Sequence, residues 1–202
     1  MLILKSLKFS FLIILLLFSV RAYSDVKKLE APFGLSWDLT LNQASEELIL
    51  NCDNINGFEV CNTNSVPKGI SEAELYMLLF DDRKQLSKII LLTKPVTGSD
   101  AFGSKGKELI NKYRDILKKK YGIPEEIIYS GAKLYRESSE FWQCLNYEGC
   151  GSYMYYFDKD IDGVVTLTLE SKRLKFVFES SGFPSAVERV KNNKKAEDSN
   201  AF

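Results

Sequence analysis

The chain has 202 residues, 27 basic and 27 acidic side chains, 45% apolar residues, four cysteines and no histidine. The lack of histidine excludes Ser-His-Asp and Cys-His catalysis, histidine-bearing zinc sites and the usual proton shuttle near neutral pH. The even charge balance leaves no electrostatic footprint for a nucleic-acid partner.

At the N-terminus, Lys5 and Lys8 precede an apolar core from Phe9 to Val20, and Ala22-Tyr23-Ser24 places small residues where a signal peptidase needs them. The pattern predicts a secretory signal peptide over 1–24 and a mature chain beginning at Asp25. The apolar run is shorter than the roughly 20 residues that span a bilayer, and no cysteine at the cleavage site offers lipid attachment. Cleavage removes Lys5, Lys8 and Arg21, so 27 less 3 leaves 24 basic residues against 27 acidic, a formal charge of −3. No later stretch is apolar enough to cross a membrane, and the expected location is periplasmic or secreted. That compartment is oxidising, so Cys52–Cys61 and Cys144–Cys150 are expected to form two local disulfides, the simplest of three connectivities. Neither spacing is the Cys-x-x-Cys of a redox site.

In chain order, Thr40 and Gln43 form a capping box for a short amphipathic segment over Leu41 to Leu50. Asn51 to Gly69, rich in Asn, Gly, Ser and Pro, reads as a loop held by the first cysteine pair. Leu75 to Phe80 and Ile89 to Leu92 flank Asp81 to Gln85 as a β-hairpin. A helix starting at Ser99 or Asp100 runs to Tyr121, with Leu109, Ile110, Tyr113, Ile116, Leu117 and Tyr121 on one face. Gly122 and Pro124 close it, and Lys118-Lys119-Lys120 complements its dipole. Ile127 to Tyr135 reads as a strand and Phe141 to Asn146 as one helical turn. Tyr153 to Phe157, Val164 to Leu169 and Leu174 to Phe178 read as an antiparallel meander. Pro184 opens a final helix, and 191–202 reads as a disordered tail.

The expected fold is therefore α+β: an antiparallel sheet packed by one long central helix and shorter terminal helices, within a single domain over 25–190. Tyr76-Met-Leu-Leu-Phe-Asp81 recurs as Tyr153-Met-Tyr-Tyr-Phe-Asp158, 77 residues on. One reading is a tandem duplication with halves near 33–122 and 123–190; the other is two unrelated hairpins with similar needs. The segment Phe33-Gly-Leu-Ser-Trp-Asp-Leu-Thr-Leu-Asn-Gln-Ala44 resembles the start of small exported bacterial proteins, including outer-membrane assembly lipoproteins of the SmpA/BamE type. That resemblance implies a short helix followed by a small sheet. The beta-lactamase-inhibitor-protein fold is a tandem version of a similar arrangement, which suits the 77-residue echo.

Candidate chemistry is sparse. Gly98 to Lys107 lies between a strand and a helix, but Gly103 is followed by Ser104, which breaks the phosphate-loop pattern. Asp158, Asp160 and Asp162 occupy positions 1, 3 and 5 of a calcium loop, with Gly163 at position 6. Position 12 is Leu169, with Glu170 one residue late, and Asp162-Gly163 is a good hairpin turn, so a turn competes with calcium there. No other cofactor is implied. The acidic neighbours Glu46-Glu47, Asp81-Asp82 and Glu125-Glu126 select no catalytic pair. Trp142, Tyr147, Tyr153, Tyr155 and Tyr156 cluster about the second cysteine pair, and alternation puts Tyr153, Tyr155 and Phe157 opposite Met154 and Tyr156. One row belongs to the core; the other is a candidate binding surface. The expected role is a non-catalytic binding or interaction protein of the bacterial cell envelope, partnered by another envelope protein. Two alternatives stay open: a periplasmic inhibitor or immunity protein against a toxin or wall enzyme, and a histidine-free carboxylate enzyme acting on glycan.

Overall fold

Eight strands form, all but the polar first from segments rich in Leu, β-branched and aromatic residues: β1 (Asn51–Ile55), β2 (Phe58–Thr63), β3 (Ala73–Phe80), β4 (Leu86–Thr93), β5 (Glu125–Tyr129), β6 (Ser152–Phe157), β7 (Val164–Glu170) and β8 (Arg173–Glu179). The computed structural model describes residues 26–98 and 100–200; the predicted signal peptide and Ser99 lie outside them. The strands pair antiparallel in one sheet, in the order β1-β2-β3-β4-β8-β7-β6-β5. Four helices accompany it: α1 (Leu41–Glu47), α2 (Ser104–Tyr121), α3 (Phe141–Asn146) and α4 (Phe183–Asn200). The architecture is α+β.

Each half of the sheet is a four-stranded meander that runs from an edge to the centre, where β4 meets β8 with Ile90 opposite Val177. The echoing segments fall on β3 and β6. Counted from the edges, β3 corresponds to β7 and β6 to β2, so the echo does not mark equivalent strands.

One sheet face carries the core. Tyr76, Leu78, Phe80, Ile89, Leu91, Leu167, Phe176 and Phe178 alternate onto it and are buried. Helix α2 lies across β7 and β8 through Ile110, Tyr113, Leu117 and Tyr121, with Tyr113 meeting Phe176 edge-on at 5.1 Å. Burying each such side chain contributes about 1.5–3 kcal/mol. The same face receives α1 through the fully buried Ala44, and the N-terminal segment through Leu29 and Phe33. Phe33 adopts φ 62°, held by edge-on rings of Tyr76 and Phe178. The Thr40–Gln43 capping box is present.

Several expectations need correction. Helix α2 begins at Ser104, whose N–H donates to Asp100 Oδ1 at 2.9 Å. Ile116 is 51% exposed, and Gly106 takes its place on the buried face because Trp142 and Leu169 close over it. A Cβ at Gly106 would stand 2.6 Å from Trp142 Cη2. The supposed loop from Asn51 is a β-hairpin, whose turn residues Asn56 and Gly57 have φ 54° and 86°. The strand expected at 127–135 is β5, ending at Tyr129. The final helix has 18 residues, as α2 does, and runs to Asn200, so 191–200 is helical rather than a disordered tail. The polar residues of that stretch include good helix formers, Lys194, Lys195 and Ala196, which continue a helix anchored at Ala186 and Val190.

Candidate functional site

The face opposite α2 is largely uncovered. Alternation puts Leu75, Met77, Ile90, Leu92, Val177, Thr166, Thr168, Met154 and Ile127 there, all half-buried. Side chains on a bare sheet screen one another without reaching the near-zero exposure seen beneath a helix. The strand register arranges them in rows across the sheet. One row reads Asn62, Met77, Ile90, Val177, Thr166, Tyr156 and Glu125; the next reads Leu75, Leu92, Lys175, Thr168, Met154 and Ile127. Two charge pairs share this face: Arg173–Glu74 at 3.0 Å, and Lys175–Glu170 at 3.3 Å, whose lysine interrupts the second row.

A third row, Val60, Leu79, Lys88, Glu179 and Val164, lies under or beside α4. Phe183 packs on Phe58 with ring centroids 5.9 Å apart and receives the Lys88 ammonium over its ring at 4.8 Å. Gly57 approaches Val190 so closely that a Cβ there would meet its Cγ1 at 2.5 Å. Arg189 latches the helix, donating from Nη2 to Asp81 Oδ2 at 2.7 Å and to Asp82 Oδ1 at 3.0 Å. The Asp81 carboxylate is buried, and its Oδ1 also accepts the N–H groups of Arg83 and Gln85. Thus α4 covers one corner of this face, and the band from Met77 to Tyr156 stays open among the described residues.

The predicted aromatics separate. Trp142 is buried and donates from Nε1 to Asp100 O at 2.8 Å, so it is core and not binding surface. Tyr155 is also core, 1% exposed; its hydroxyl donates to Asn111 Oδ1 at 2.8 Å and accepts from Arg114 Nη1 at 3.2 Å. Burial pushes its phenol pKa up. Tyr153 shares that face, half-buried against Phe141 and Tyr155. Tyr156 is on the open face, opposite Thr166 and Glu125. Tyr147 is 45% exposed on the segment between β5 and β6, edge-on to Tyr135 at 6.0 Å. Met77, Ile90, Leu92 and Val177 were not among the predicted surface residues. A signal existed: 75–80 and 89–92 are apolar at every position, the pattern of a strand apolar on both faces.

Both disulfides form as paired by proximity, Cys52–Cys61 between directly opposed residues of β1 and β2, and Cys144–Cys150 from α3 to the segment before β6. The aspartate triplet lies in the turn of the antiparallel β6–β7 hairpin, a six-residue connection rather than a two-residue Asp-Gly turn. Its carboxylates do not come together. Asp162 Oδ1 accepts the Leu29 N–H at 2.5 Å, while Asp160 points at Gly122 beyond the end of α2. Among the described residues no group of three or more His, Cys, Asp or Glu converges on a metal-sized site. The loop instead holds the N-terminal segment: Lys27 N–H donates to Asp160 O, and Asp162 N–H donates to Lys27 O. Gly163 is required by close approach, since a Cβ would lie 2.5 Å from Glu179 O.

The acidic neighbours are likewise dispersed. Arg189 neutralises Asp81 and Asp82, Glu46 and Glu47 face solvent on α1, and Glu125 and Glu126 point to opposite faces of β5. The molecule thus combines an α+β fold, two disulfides and one open sheet face. No protein-family profile, curated sequence or solved structure matches the chain.

Proposed function

We propose that the protein is a non-catalytic, exported binding protein of the bacterial cell envelope, and that its open sheet face receives another envelope protein. The observation that carries this reading is the apolar band of Met77, Ile90, Leu92, Val177, Met154 and Tyr156, which no helix among the described residues covers. Its composition suits a protein partner. Methionines adapt to an incoming surface, Tyr156 offers contact area with a polar tip, and the ion pairs on the same face supply polar contacts. The two disulfides and the signal-peptide pattern support an oxidising compartment.

The test places a photo-crosslinking residue at Thr166, in the middle of the band, and separately at the exposed Ile116 on α2. Envelope extract should give a discrete adduct from position 166 and none from 116. Thr166→Arg should cut capture of that partner at least tenfold without changing the melting temperature. Equal labelling at the two positions, or capture unaffected by Thr166→Arg, overturns the reading.

A further inference from the structure

The two edges of the sheet differ in chemistry. At β1, Cys52 is tied to Cys61, Asn54 turns its side chain to Glu59 and the Gly57 N–H, Asn51 and Asp53 are polar, and the single exposed aliphatic is Ile55 beside the turn. Polar and charged side chains of this kind discourage further strand pairing. At β5 the run is Glu125-Glu126-Ile127-Ile128-Tyr129, with Ile128 42% and Tyr129 45% exposed. Ile-Ile-Tyr is strand-forming sequence. Beyond the β5–β6 ladder, no backbone hydrogen bond reaches Glu125–Tyr129 among the described residues. Neither Glu125 nor Glu126 is in an ion pair there.

We propose that β5 is a docking edge for an extended segment of another protein, which adds as a ninth strand and carries Lys or Arg against Glu125 and Glu126. The outward N–H and C=O groups supply affinity with little regard to sequence, while alternate side chains supply selection. Residues facing Glu125, Ile127 and Tyr129 join the open sheet face; those facing Glu126 and Ile128 join the opposite one. The fitting segment is therefore apolar over three residues and basic over the next two. Opposite charges directly across strands favour pairing, and like charges oppose it. This edge adjoins the band proposed above at Tyr156 and Met154, but it binds through backbone groups rather than the sheet face, and either can fail alone.

The probe is an acetylated, amidated nonapeptide, Thr-Thr-Val-Tyr-Val-Lys-Lys-Thr-Thr, added to the mature protein while amide exchange is followed by NMR. Expected is at least tenfold slower exchange at outward-facing amides of β5, with β1 unchanged. The same peptide with Glu-Glu for Lys-Lys should give no protection, and the Glu125→Lys/Glu126→Lys protein should reverse that preference. The Thr166→Arg variant should still protect β5, which separates this edge from the open face. Protection indifferent to peptide charge, or located on β1, overturns the proposal. So does β5 protection that rises with protein concentration in the absence of peptide, which assigns the edge to a second copy of the chain.

Discussion

The first four strands and the last four repeat one meander, yet different elements cover them, and α4 adds cover on the outer face of the first half. In the first half, α1 and the N-terminal segment close the core face, and α4 crosses the other face at Phe58, Leu79 and Lys88. In the second half, α2 and α3 close the core face with Tyr113, Leu117, Phe141 and Trp142, and beyond the Glu179–Val164 row nothing described covers the outer face. A sheet of this size buries its apolar surface only where an element crosses it. The asymmetry of cover, rather than the strand order, is what leaves the band from Met77 on β3 to Tyr156 on β6 open.

The largest test of this comparison sets two aromatics of the second half against each other. Trp142 is 6% exposed and closes over Gly106, whereas Tyr147 is 45% exposed. Trp142→Ala should cost about 3–5 kcal/mol by chemical denaturation, and Tyr147→Ala should stay within about 0.5 kcal/mol. Equal losses would mean that Tyr147 is also part of the core. The first half is probed through its latch. Arg189→Ala leaves the buried Asp81 without its cation and should cost about 1–2 kcal/mol. Exchange of α4 amides should quicken while those of β6 and β7 do not.

A weaker tie joins the halves. Glu72, just before β3, contacts Lys112 of α2 at 2.9 Å, and its pKa is lowered to about 2, first by the Ser71 hydroxyl and then by Tyr113 and Lys112. A carboxylate held this low stabilises fully above its unfolded pKa near 4.3, and that stabilisation is lost as pH falls toward 2. Wild type should exceed Glu72→Gln by about 1 kcal/mol at pH 6, the side chain's exposure limiting the effect. The gap should close between pH 4.3 and 2. A constant gap would make the tie non-ionic.

Much of the sheet was legible in the sequence. The meander of β6 to β8 and the β3–β4 hairpin follow from period-two patterns and turn residues, and the disulfides from spacing and compartment. The Asn51–Gly69 reading failed because polar composition outweighed Asn56-Gly57 between Ile55 and Phe58, a strong hairpin signal. Trp142 and Tyr155 were offered as surface because clustering in sequence says nothing about which side a helix will cover. The position of α4 was hidden too. It depends on Arg189 meeting Asp81 and Asp82 across 107 or 108 residues, a contact with no local signature.

The smallest effect compares a two-residue turn from each half. Asn56-Gly57 links Ile55 to Phe58, and Ser171-Lys172 links Glu170 to Arg173; both are two-residue turns with positive φ at each position, 54° and 86° against 47° and 62°. Asn and Gly tolerate that region, whereas Lys172 has a Cβ that crowds its own backbone. Lys172→Gly should therefore stabilise, by about 0.5 kcal/mol once the added freedom of the unfolded chain is subtracted. The reciprocal change, Gly57→Ala, meets two obstacles: the same left-handed backbone and the Val190 side chain at 2.5 Å. It should destabilise and also loosen α4, raising exchange along that helix. If Gly57→Ala is as mild as the change at 172 and leaves α4 undisturbed, the contact between the first turn and α4 does not form in solution. The corner of the first half at Phe58 would then be open as well.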